Sequence, residues 1–577
     1  MPRMLLSTIV LVSLFAPTSS WAQAIAQYDR IHFPTYSKTG MVASQNQLAS
    51  EIGAAVLADG GNAVDASIAV GFALAVTLPR AGNLGGGGFM LVHSAATGEN
   101  IAIDFREIAP IGATRDMFLD ENGDASPQLS RSSHLSAGVP GTVAGLYAAH
   151  QQFGSLPWKR LVQPAADIAR DGIIVTKDLS DVVTRYRERL CAQPVSCAYF
   201  FKSDGSAYQM GERLVQSDLA WSLQLIADEG PDAFYKGAIA DKLVAEMKRG
   251  GGIVDYASLA GYRPVFKDAL VGHYRDHEII AMPPSSSGGV HVIQMLNVLQ
   301  HFPIGEMGFG SADAIHVTAA AMQMAYADRS EHLGDSDFYD VPLEWLMSDE
   351  YAESLANTIA MDRARPSAEV RPGVAPRKES DDTTHISVID RDGNVVSLTY
   401  TLNTSFGSGI SVAGAGFILN NEMDDFVSKP GTPNVYGLLG NEANAIEAGK
   451  RPLSSMTPVI LLKEGDVVMA TGSPGGSRII TTVLQMIMNV VDHNMGLADA
   501  AHAPRIHHQW FPDMLFVEAG ISPDTLAILT ERGHNVVKRN TLSTSLQTVG
   551  VEGEYFRGVS DPRRPGAGAA APVTIDE

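Results

Sequence analysis

The chain has 577 residues, of which 45% are hydrophobic and 18% charged, and its 64 acidic against 42 basic side chains give a formal net charge of −22. This composition supplies a large buried core and excludes global disorder. An acidic chain with no basic run longer than two residues repels polyanions, so we do not expect it to bind nucleic acid.

The N-terminal segment 1–24 has the pattern of an export signal. Arg3 precedes the apolar stretch 4–15, and small residues then offer a cleavage site after Ala22 or Ala24. The apolar stretch is shorter than the ~20 residues that a membrane span needs. We therefore expect a signal peptide, no membrane span after its removal, and a periplasmic or secreted protein. An uncleaved anchor is the alternative.

The first strong element after the signal is helical. The apolar segment 66–78 follows Gly60-Gly61-Asn62 and stops at Pro79, which predicts a buried helix. Further helices are predicted over 218–227 and 312–327.

Cys191 and Cys197 are the two cysteines of the chain. In an oxidising compartment they can close a small disulfide loop, and two unpaired buried thiols are the alternative. No histidine lies near them in the sequence, so neither is expected to be catalytic.

The segment 363–382 is polar, contains prolines and lacks apolar periodicity, which predicts an exposed, mobile strip. A strand over 385–389, a turn at 392–393 and a return strand over 395–401 follow it as a predicted hairpin. The pair Thr383-Thr384 therefore stands where a loose strip meets the first strand of a sheet.

The remainder of the chain begins with the glycine-rich stretch 407–416 and a polar loop over 429–450. A strand then ends over 469–472, and a helix is predicted over 479–491. The tail after Asp561 is rich in Pro, Gly and Ala and is expected to fray.

Two glycines stand in front of the helix predicted over 479–491. Gly475 and Gly476 would expose backbone N–H groups at its N-terminus, where the helix dipole favours negative charge. Such donors suit the oxyanion of a tetrahedral intermediate. Taken alone, the pair fits a simple turn equally well.

A threonine hydroxyl is a poor nucleophile unless a base lies beside it. A free N-terminal α-amine, with a pKa of ~8, can be that base. For Thr383 this requires that the chain be cut between Asp382 and Thr383.

Several common catalytic patterns are missing from the sequence, namely the Gly-x-Ser-x-Gly elbow, the phosphate loop and His-Glu-x-x-His. His502, His507 and His508 have no carboxylate or cysteine at ligand spacing. We therefore expect neither a metal site nor an organic cofactor.

A series of short blocks occurs in order along the chain: Gly60–Ala66, Gly82–Met90, Asp104–Glu107, Pro283–Gly289, Thr383–His385, Asn420–Phe426, Arg451–Met456 and Gly472–Arg478. Each block alone is modest, but their joint presence in this order is specific. Together they resemble the γ-glutamyltranspeptidase (glutathione hydrolase) family, especially its bacterial periplasmic members, from about residue 38 to residue 562.

The resemblance implies an α+β fold of the N-terminal nucleophile hydrolase type, an αββα sandwich of two stacked, mainly antiparallel sheets flanked by helices. It also implies a proenzyme that cuts itself between Asp382 and Thr383. The products would be a large subunit of residues 25–382 and a small subunit of residues 383–577, which remain together in one globule as a heterodimer.

The resemblance also assigns roles to individual residues. Thr383 would attack the γ-carbonyl while its α-amine takes the proton, and Thr401 would lie beside it and contact the substrate. Gly475 and Gly476 would supply the oxyanion N–H groups. The substrate α-carboxylate is assigned to Arg106, Ser454 and Ser455, and the α-ammonium to Asn403, Glu422 and Asp425. Tyr436, in the loop 430–441, would wall the pocket.

One position varies within the family: some close bacterial relatives have glutamine where this chain has Glu422. Either residue accepts a hydrogen bond from an ammonium group, so we expect function to be retained. Without the family blocks, Arg106 would be interpreted as part of a surface ion pair and Asp425 as a loop or cap residue.

The expected activity is that of a self-cleaving γ-glutamyltransferase and glutathione hydrolase. It would pass the γ-glutamyl group of glutathione or another γ-glutamyl compound to water or to an acceptor amino acid or dipeptide. One alternative is a cephalosporin (glutaryl) acylase of the same fold, against which Asn403, Glu422 and Asp425 argue. The other is an inactive exported glutamyl-binding protein, against which Thr383 and Thr401 argue.

Overall fold

The computed structural model describes residues 33–370 and 383–573. Two antiparallel sheets of seven strands each stack face to face, and helices cover the outer face of each sheet. The expected αββα class is confirmed. The predicted signal peptide over 1–24 and the predicted cleavage residue Asp382 lie outside the described residues.

The strands of the two large sheets follow a simple spatial order. The first sheet contains, from edge to edge, Gly568–Ala570, Gly40–Ser44, Thr384–Asp390, Val395–Thr401, Gly87–His93, Asn100–Phe105 and Val265–Asp268. The second sheet contains Thr35–Ser37, Tyr555–Ser560, Gln547–Glu552, Asp466–Gly472, Val459–Lys463, His277–Ala281 and Leu270–Tyr274. Two small sheets are formed by Ile506–His507, Leu515–Glu518 and Val536–Arg539, and by Ile173–Ile174 and Arg213–Leu214.

Helices form the two outer layers. The layer on the first sheet is built from Gln47–Ala58, Ala63–Thr77, Thr142–Phe153, Trp158–Asp171 and Ser217–Glu229. The layer on the second sheet is built from Gly288–Leu299, Ala312–His332 and Arg478–Val491. The other helices are Pro127–Ser132, His134–Ser136, Lys177–Arg185, Arg187–Cys191, Pro194–Phe200, Asp232–Tyr235, Ala238–Gly250, Tyr256–Gly261, Ile304–Met307, Leu343–Leu346, Asp349–Ala356, Ser367–Val370, Glu422–Asp425, Glu442–Asn444, Leu497–His502 and Pro523–Glu531. Within the described ranges, no helix is both long enough and apolar enough to cross a membrane.

The alternation of side chains along the first sheet assigns its two faces to different cores. Phe89 and Leu91 pack in the core between the sheets, whereas Met90 and Val92 pack against the outer helices. Successive side chains of a strand point to opposite faces, so a strand buried on both sides reads as a continuous apolar run. The first sheet is therefore buried on both faces.

The helix predicted over 66–78 is confirmed as Ala63–Thr77. The side chain of Asn62 accepts the N–H of Asp65 while Asp65 accepts the N–H of Asn62, so a capping box fixes the start of the helix. The predicted hairpin is also confirmed, with strands Thr384–Asp390 and Val395–Thr401.

One expectation from the sequence is wrong. The tail does not simply fray, because Gly568–Ala570 pairs with Gly40–Ser44 and Ser50 donates a 2.7 Å hydrogen bond to the carbonyl of Gly568. Of the strip expected to be exposed over 363–382, residues 371–382 lie outside the described residues, and the described part ends with the short helix Ser367–Val370, whose first and last residues are buried. The Ser367 hydroxyl lies 2.8 Å from Asp513 Oδ1, which ties this part of the strip to the body of the protein.

Cys191 and Cys197 are joined in the structure, with their Cα atoms 4.3 Å apart. The bridge connects the end of helix Arg187–Cys191 to helix Pro194–Phe200. Closure of the small loop is the first of the two alternatives considered from the sequence.

Gly145 provides a test of how tightly the first helical layer packs. A Cβ atom at this position, in helix Thr142–Phe153, would lie 2.2 Å from the ring of Phe105. We expect Gly145→Ala to lower the free energy of unfolding by ~1–3 kcal/mol, although alanine is the better helix former by ~1 kcal/mol. Thermal unfolding should show a lower Tm. The matched control is Gly261→Ala, where a Cβ meets nothing within 4 Å and the Tm should not fall. An unchanged Tm for Gly145→Ala would contradict the packing described.

Candidate active site

The central hairpin brings two threonine hydroxyls together. Thr384 pairs with Tyr400, so the same register places Thr383 opposite Thr401. Their Oγ atoms are 3.4 Å apart, and Thr401 Oγ also accepts the N–H of Asn403 at 2.9 Å. Both side chains are buried. The pair expected from the sequence is therefore close enough to interact.

The histidine next to the threonines has a structural role. His385 Nδ1 lies 2.8 Å from the hydroxyl of Thr399, and Nε2 lies 2.9 Å from that of Ser387. Burial lowers the pKa of His385 to about 3, so the ring is neutral. The His385 ring lies between the two sheets, and its hydrogen bonds help to fix the strand that follows Thr383.

A cavity opens beside Thr383. Its lining residues are Arg106, Arg329, Thr383, Thr401, Asn403, Glu422, Asp425, Tyr436, Leu438, Ser454, Ser455, Met456, Gly476 and Ile479. The site residues expected from the sequence thus converge on one cavity, except Gly475, which does not line it. Arg329 is an additional charged residue that sequence reasoning did not identify.

Arg106 is the centre of the charged side of the cavity. It follows strand Asn100–Phe105 and lies 1% exposed. Its Nη2 donates to Asp425 Oδ2 at 2.6 Å, its Nη1 donates to Glu422 Oε1, and its Nε donates to the carbonyl of Pro452 at 3.2 Å. A guanidinium group has five N–H donors, so two remain for a ligand.

The two acids reach Arg106 because of local helix geometry. Glu422 and Asp425 are the ends of a single 3-10 turn, Glu422–Asp425. With three residues per turn, positions i and i+3 lie on the same side of such a helix. The turn therefore presents both carboxylates to the same guanidinium group.

Burial shifts the pKa values of these acids upwards. It raises the pKa of Asp425 to about 6 and that of Glu422 well above its usual range, while the charge of Arg106 opposes both shifts. Glu107 is also buried and has a pKa raised to about 8. The carboxylates of this site therefore need a nearby cation to remain ionised.

Among residues 33–370 and 383–573, two acceptor oxygens of cavity-lining residues find no hydrogen-bond partner. They are Glu422 Oε2 and Asn403 Oδ1. Asn403 Nδ2 donates to the carbonyl of Asn421 at 3.0 Å. This hydrogen bond fixes the orientation of the amide and leaves its oxygen as the atom that can accept a hydrogen bond from a ligand. Buried acceptors without partners are costly, so this corner of the cavity requires a donor with several N–H bonds.

Ser454 and Ser455 face the same cavity from a loop after Pro452. Ser454 Oγ accepts the N–H of Met456 at 3.1 Å, and Ser455 Oγ accepts Nη2 of Arg329 at 3.2 Å. The Ser454 backbone pairs with the loop that precedes helix Gly288–Leu299, because its N–H donates to the carbonyl of Ser285. The two hydroxyls are thereby held in place.

The glycine pair lies between strand Asp466–Gly472 and helix Arg478–Val491. Gly475 and Gly476 have φ values of +133° and +54°, a region that favours glycine. A Cβ on Gly476 would lie 2.4 Å from the ring of Tyr436. Only glycine therefore allows this turn to approach the loop that covers the site.

That covering loop is anchored to the charged turn. Val435 N donates to Asp424 at 2.8 Å, and Asn434 Nδ2 donates to Asp425 at 3.0 Å. The Tyr436 hydroxyl donates to the carbonyl of Asn403 at 2.5 Å, and Tyr436 is 5% exposed. Tyr436 lines the cavity and connects the loop to Asn403, two residues after Thr401.

Comparisons with known proteins give a consistent result. The family model described as gamma-glutamyltranspeptidase matches residues 49–571. The chain is 51% identical over 534 residues to a glutathione hydrolase proenzyme of Escherichia coli (strain K12), with 92% of each chain covered.

Solved structures also resemble this fold. A cephalosporin acylase from Bacillus halodurans matches with a TM-score of 0.83 and 26% identity, over 97% of this chain and 99% of that chain. A γ-glutamyltranspeptidase from Helicobacter pylori matches with a TM-score of 0.58 and 44% identity, over 59% of this chain and 97% of that chain.

The raised pKa of Asp425 predicts how ligand binding depends on pH. Below a pH of about 6 this carboxyl gains a proton and loses the charge that attracts an ammonium group; above it the charge is present. We expect the dissociation constant of L-norvaline, an α-amino acid with an unreactive side chain, to rise as the pH falls through about 6. Calorimetric titration across this range measures it. Asp425→Asn should bind weakly and without that pH dependence. The same pH dependence in wild type and variant would assign the titration to another group.

Proposed function

The chain belongs to the γ-glutamyltranspeptidase family, and we propose that it is a self-cleaving enzyme in which Thr383 forms a γ-glutamyl ester from glutathione and other γ-glutamyl amides. The γ-glutamyl group then passes to water or to the amine of an amino acid or dipeptide. The observation that carries this proposal is the pair of unpartnered acceptors, Glu422 Oε2 and Asn403 Oδ1, in the cavity beside Thr383.

The charges of the cavity match the head group of glutamate. Two guanidinium groups and two carboxyl groups line it. An α-ammonium would satisfy Glu422, Asp425 and Asn403, and an α-carboxylate would take the remaining N–H donors of Arg106. Charge-assisted hydrogen bonds of this kind are about twice as strong as neutral ones.

The base of the reaction must come from the nucleophile itself. Among the described residues that line the cavity there is no histidine, lysine or cysteine. Once the bond between Asp382 and Thr383 is cut, the new α-amine of Thr383 is adjacent to its own hydroxyl and can accept its proton. The preceding cut uses the same nucleophile without that amine. Thr383 Oγ would attack the carbonyl carbon of Asp382, the C–N bond between Asp382 and Thr383 would break as the hydroxyl proton passes to the released nitrogen, and water would hydrolyse the resulting ester.

The catalytic steps then balance without a cofactor. Thr383 Oγ bonds to the γ-carbon while its proton moves to the α-amine, and the carbonyl oxygen becomes an oxyanion. Backbone N–H groups of Gly475 and Gly476, at the start of helix Arg478–Val491, would stabilise that charge. Collapse breaks the C–N bond, and the α-ammonium returns its proton to the leaving amine. Water or an acceptor amine then attacks the ester with the α-amine as base.

The loop that contains Tyr436 supports small substrates over polymers. It covers the cavity beside Thr383, and its residues Tyr436 and Leu438 line that cavity, which supports a small γ-glutamyl substrate over a long chain. Together with the export signal expected over 1–24, this supports a periplasmic or secreted enzyme that acts on glutathione or similar γ-glutamyl compounds.

A glutaryl acylase is the second candidate, because the chain also resembles a cephalosporin acylase. A glutaryl group is a γ-glutamyl group without the α-ammonium. It would leave Glu422 Oε2 and Asn403 Oδ1 without partners, so the cavity supports γ-glutamyl substrates better.

Self-cleavage is tested by intact mass. The purified wild-type protein should give, under denaturing conditions, a small subunit that begins at Thr383, because the nucleophile cuts the bond before it. Thr383→Ala should remain one chain. As control, Thr384→Ala keeps the nucleophile and should still be cut. An uncut wild-type chain would overturn the proposal and favour an exported binding protein.

Substrate choice is tested with γ-glutamyl and glutaryl 4-nitroanilide. We expect a kcat/KM at least ~10²-fold higher for the γ-glutamyl compound, since a site built to hydrogen-bond a group rejects the analogue that lacks it. Asp425→Ala should reduce this preference mainly by lowering the γ-glutamyl rate. Glu442→Gln, an exposed carboxylate in the same loop region, serves as the control and should keep the preference. Equal rates on both anilides in the wild type would favour the acylase.

A further inference from the structure

Arg329 is a buried cation that the mechanism above leaves without a role. It lies in the last turn of helix Ala312–His332, is 5% exposed and lines the cavity. Its Nε donates to Ser287 Oγ at 2.9 Å and its Nη2 donates to Ser455 Oγ at 3.2 Å. Within residues 33–370 and 383–573, no carboxylate lies within 4 Å of its guanidinium group.

The two cations of the cavity are therefore not equivalent. Arg106 contacts two carboxylates, Glu422 and Asp425, which compensate its charge. Arg329 donates only to hydroxyl groups, and the charge of Asp425 acts on it without direct contact. A buried guanidinium group that no carboxylate contacts is stabilised less, and an anionic ligand would add the missing contact. Burial lowers the pKa of Arg329 only to about 10, so the group remains charged near neutral pH.

The hydrogen bonds of Arg329 also fix the direction of the serine hydroxyls. Guanidinium groups only donate, so Ser287 Oγ and Ser455 Oγ both act as acceptors towards Arg329. Ser287 uses its own proton on the carbonyl of Ser454 at 2.7 Å. The proton of Ser455 has no acceptor among the described residues and remains available for a ligand.

The Ser454 hydroxyl is also left as a hydrogen-bond donor, through a different contact. Its Oγ accepts the N–H of Met456, and its proton likewise has no acceptor within the described part of the chain. Two adjacent hydroxyls are thus arranged as donors towards the cavity. A set of donors beside a cation that no described carboxylate contacts is selective for a carboxylate over a neutral amide, because an amide NH₂ group would meet only donors.

We propose that Arg329 is a positioning and specificity-determining residue, which holds the Ser455 hydroxyl as a donor and supplies a positive charge, contacted by no described carboxylate, that selects substrates with a free α-carboxylate. This inference rests on the proposed γ-glutamyl function. Arg329 acts on the head group, several bonds from the carbonyl that reacts at Thr383, so its effect falls on binding rather than on the chemical step.

The test compares two substrates that differ only at the α-carbon: γ-glutamyl 4-nitroanilide and its α-carboxamide. For Arg329→Met we expect KM for the carboxylate substrate to rise ~10- to 100-fold, the range for a lost charged hydrogen bond. Its kcat should change less than about threefold, as should KM for the carboxamide. Arg329→Lys keeps the charge without the planar fork and should fall between wild type and Arg329→Met. Arg170→Met, at an exposed arginine, is the control.

A merely structural role would give a different pattern. If Arg329→Met raises KM for both substrates equally, or lowers kcat alone, the inference is wrong. If that variant does not fold or is not cut at Thr383, Arg329→Lys decides by calorimetry. It should bind L-norvaline more weakly than the wild type and bind L-norvalinamide as the wild type does, and equal losses for both ligands would overturn the inference. A wild-type enzyme that does not distinguish carboxylate from carboxamide overturns it as well, whereas failure of the proposed function itself would appear as no turnover of either substrate.

Discussion

The register between strands Thr384–Asp390 and Val395–Thr401 is the constraint on which the site depends. Residues of a strand alternate between faces, so a slip of one residue would exchange every side chain of the hairpin between the two cores. His385 and Ser387 would then leave the space between the sheets and enter the apolar layer under the outer helices. The cost of burying those polar groups without partners makes the register unique, and the register sets Thr383 opposite Thr401.

The turn of the hairpin reinforces this register from the opposite end. Asp390 Oδ1 accepts the N–H groups of Asp392 and Asn394, both at 3.0 Å, and Gly393 takes a positive φ of +86°. The turn therefore fixes which residues pair first, and the ladder carries that pairing to Thr383 at the far end. Backbone hydrogen bonds along the strand Thr384–Asp390 thereby position Thr383.

Much of the fold follows from local patterns that the sequence displays openly. Alternation and an Asp-Gly turn predict the hairpin, and an apolar run between Asn62 and Pro79 predicts a buried helix. The strand Gly568–Ala570 has no such signal, because its small residues give it the composition that is typical of a flexible tail. It forms because Gly40–Ser44 offers an unpaired edge and Ser50 supplies a hydrogen bond.

Some features of the site could likewise be predicted from the sequence, and others could not. Arg106 stands far from Glu422 and Asp425 in the sequence, and only resemblance to a family assigned the three a shared role. Their direct ion pairs could not be read from the residues, since a 3-10 turn leaves no periodic pattern. Arg329 was missed because it continues a buried helix and lies in none of the sequence blocks that carry the resemblance. Its meaning depends on Ser287 and Ser455, which come from two other segments.

The burial of Thr383 also bears on how the chain is cut. Thr383 is 4% exposed, and the strand that follows it is hydrogen-bonded on both sides within the first sheet. A separate protease binds an extended, accessible stretch on both sides of the bond that it cuts. The residues after the bond at Thr383 are already occupied by their partners in the sheet, so an external enzyme has no access to them. Cleavage by Thr383 itself needs no such access, because the attacking hydroxyl belongs to the residue that follows the bond. In the proposed mechanism, the burial that excludes another protease also holds this hydroxyl beside Thr401, so that one packed environment would serve first the cut and then the reaction with substrate.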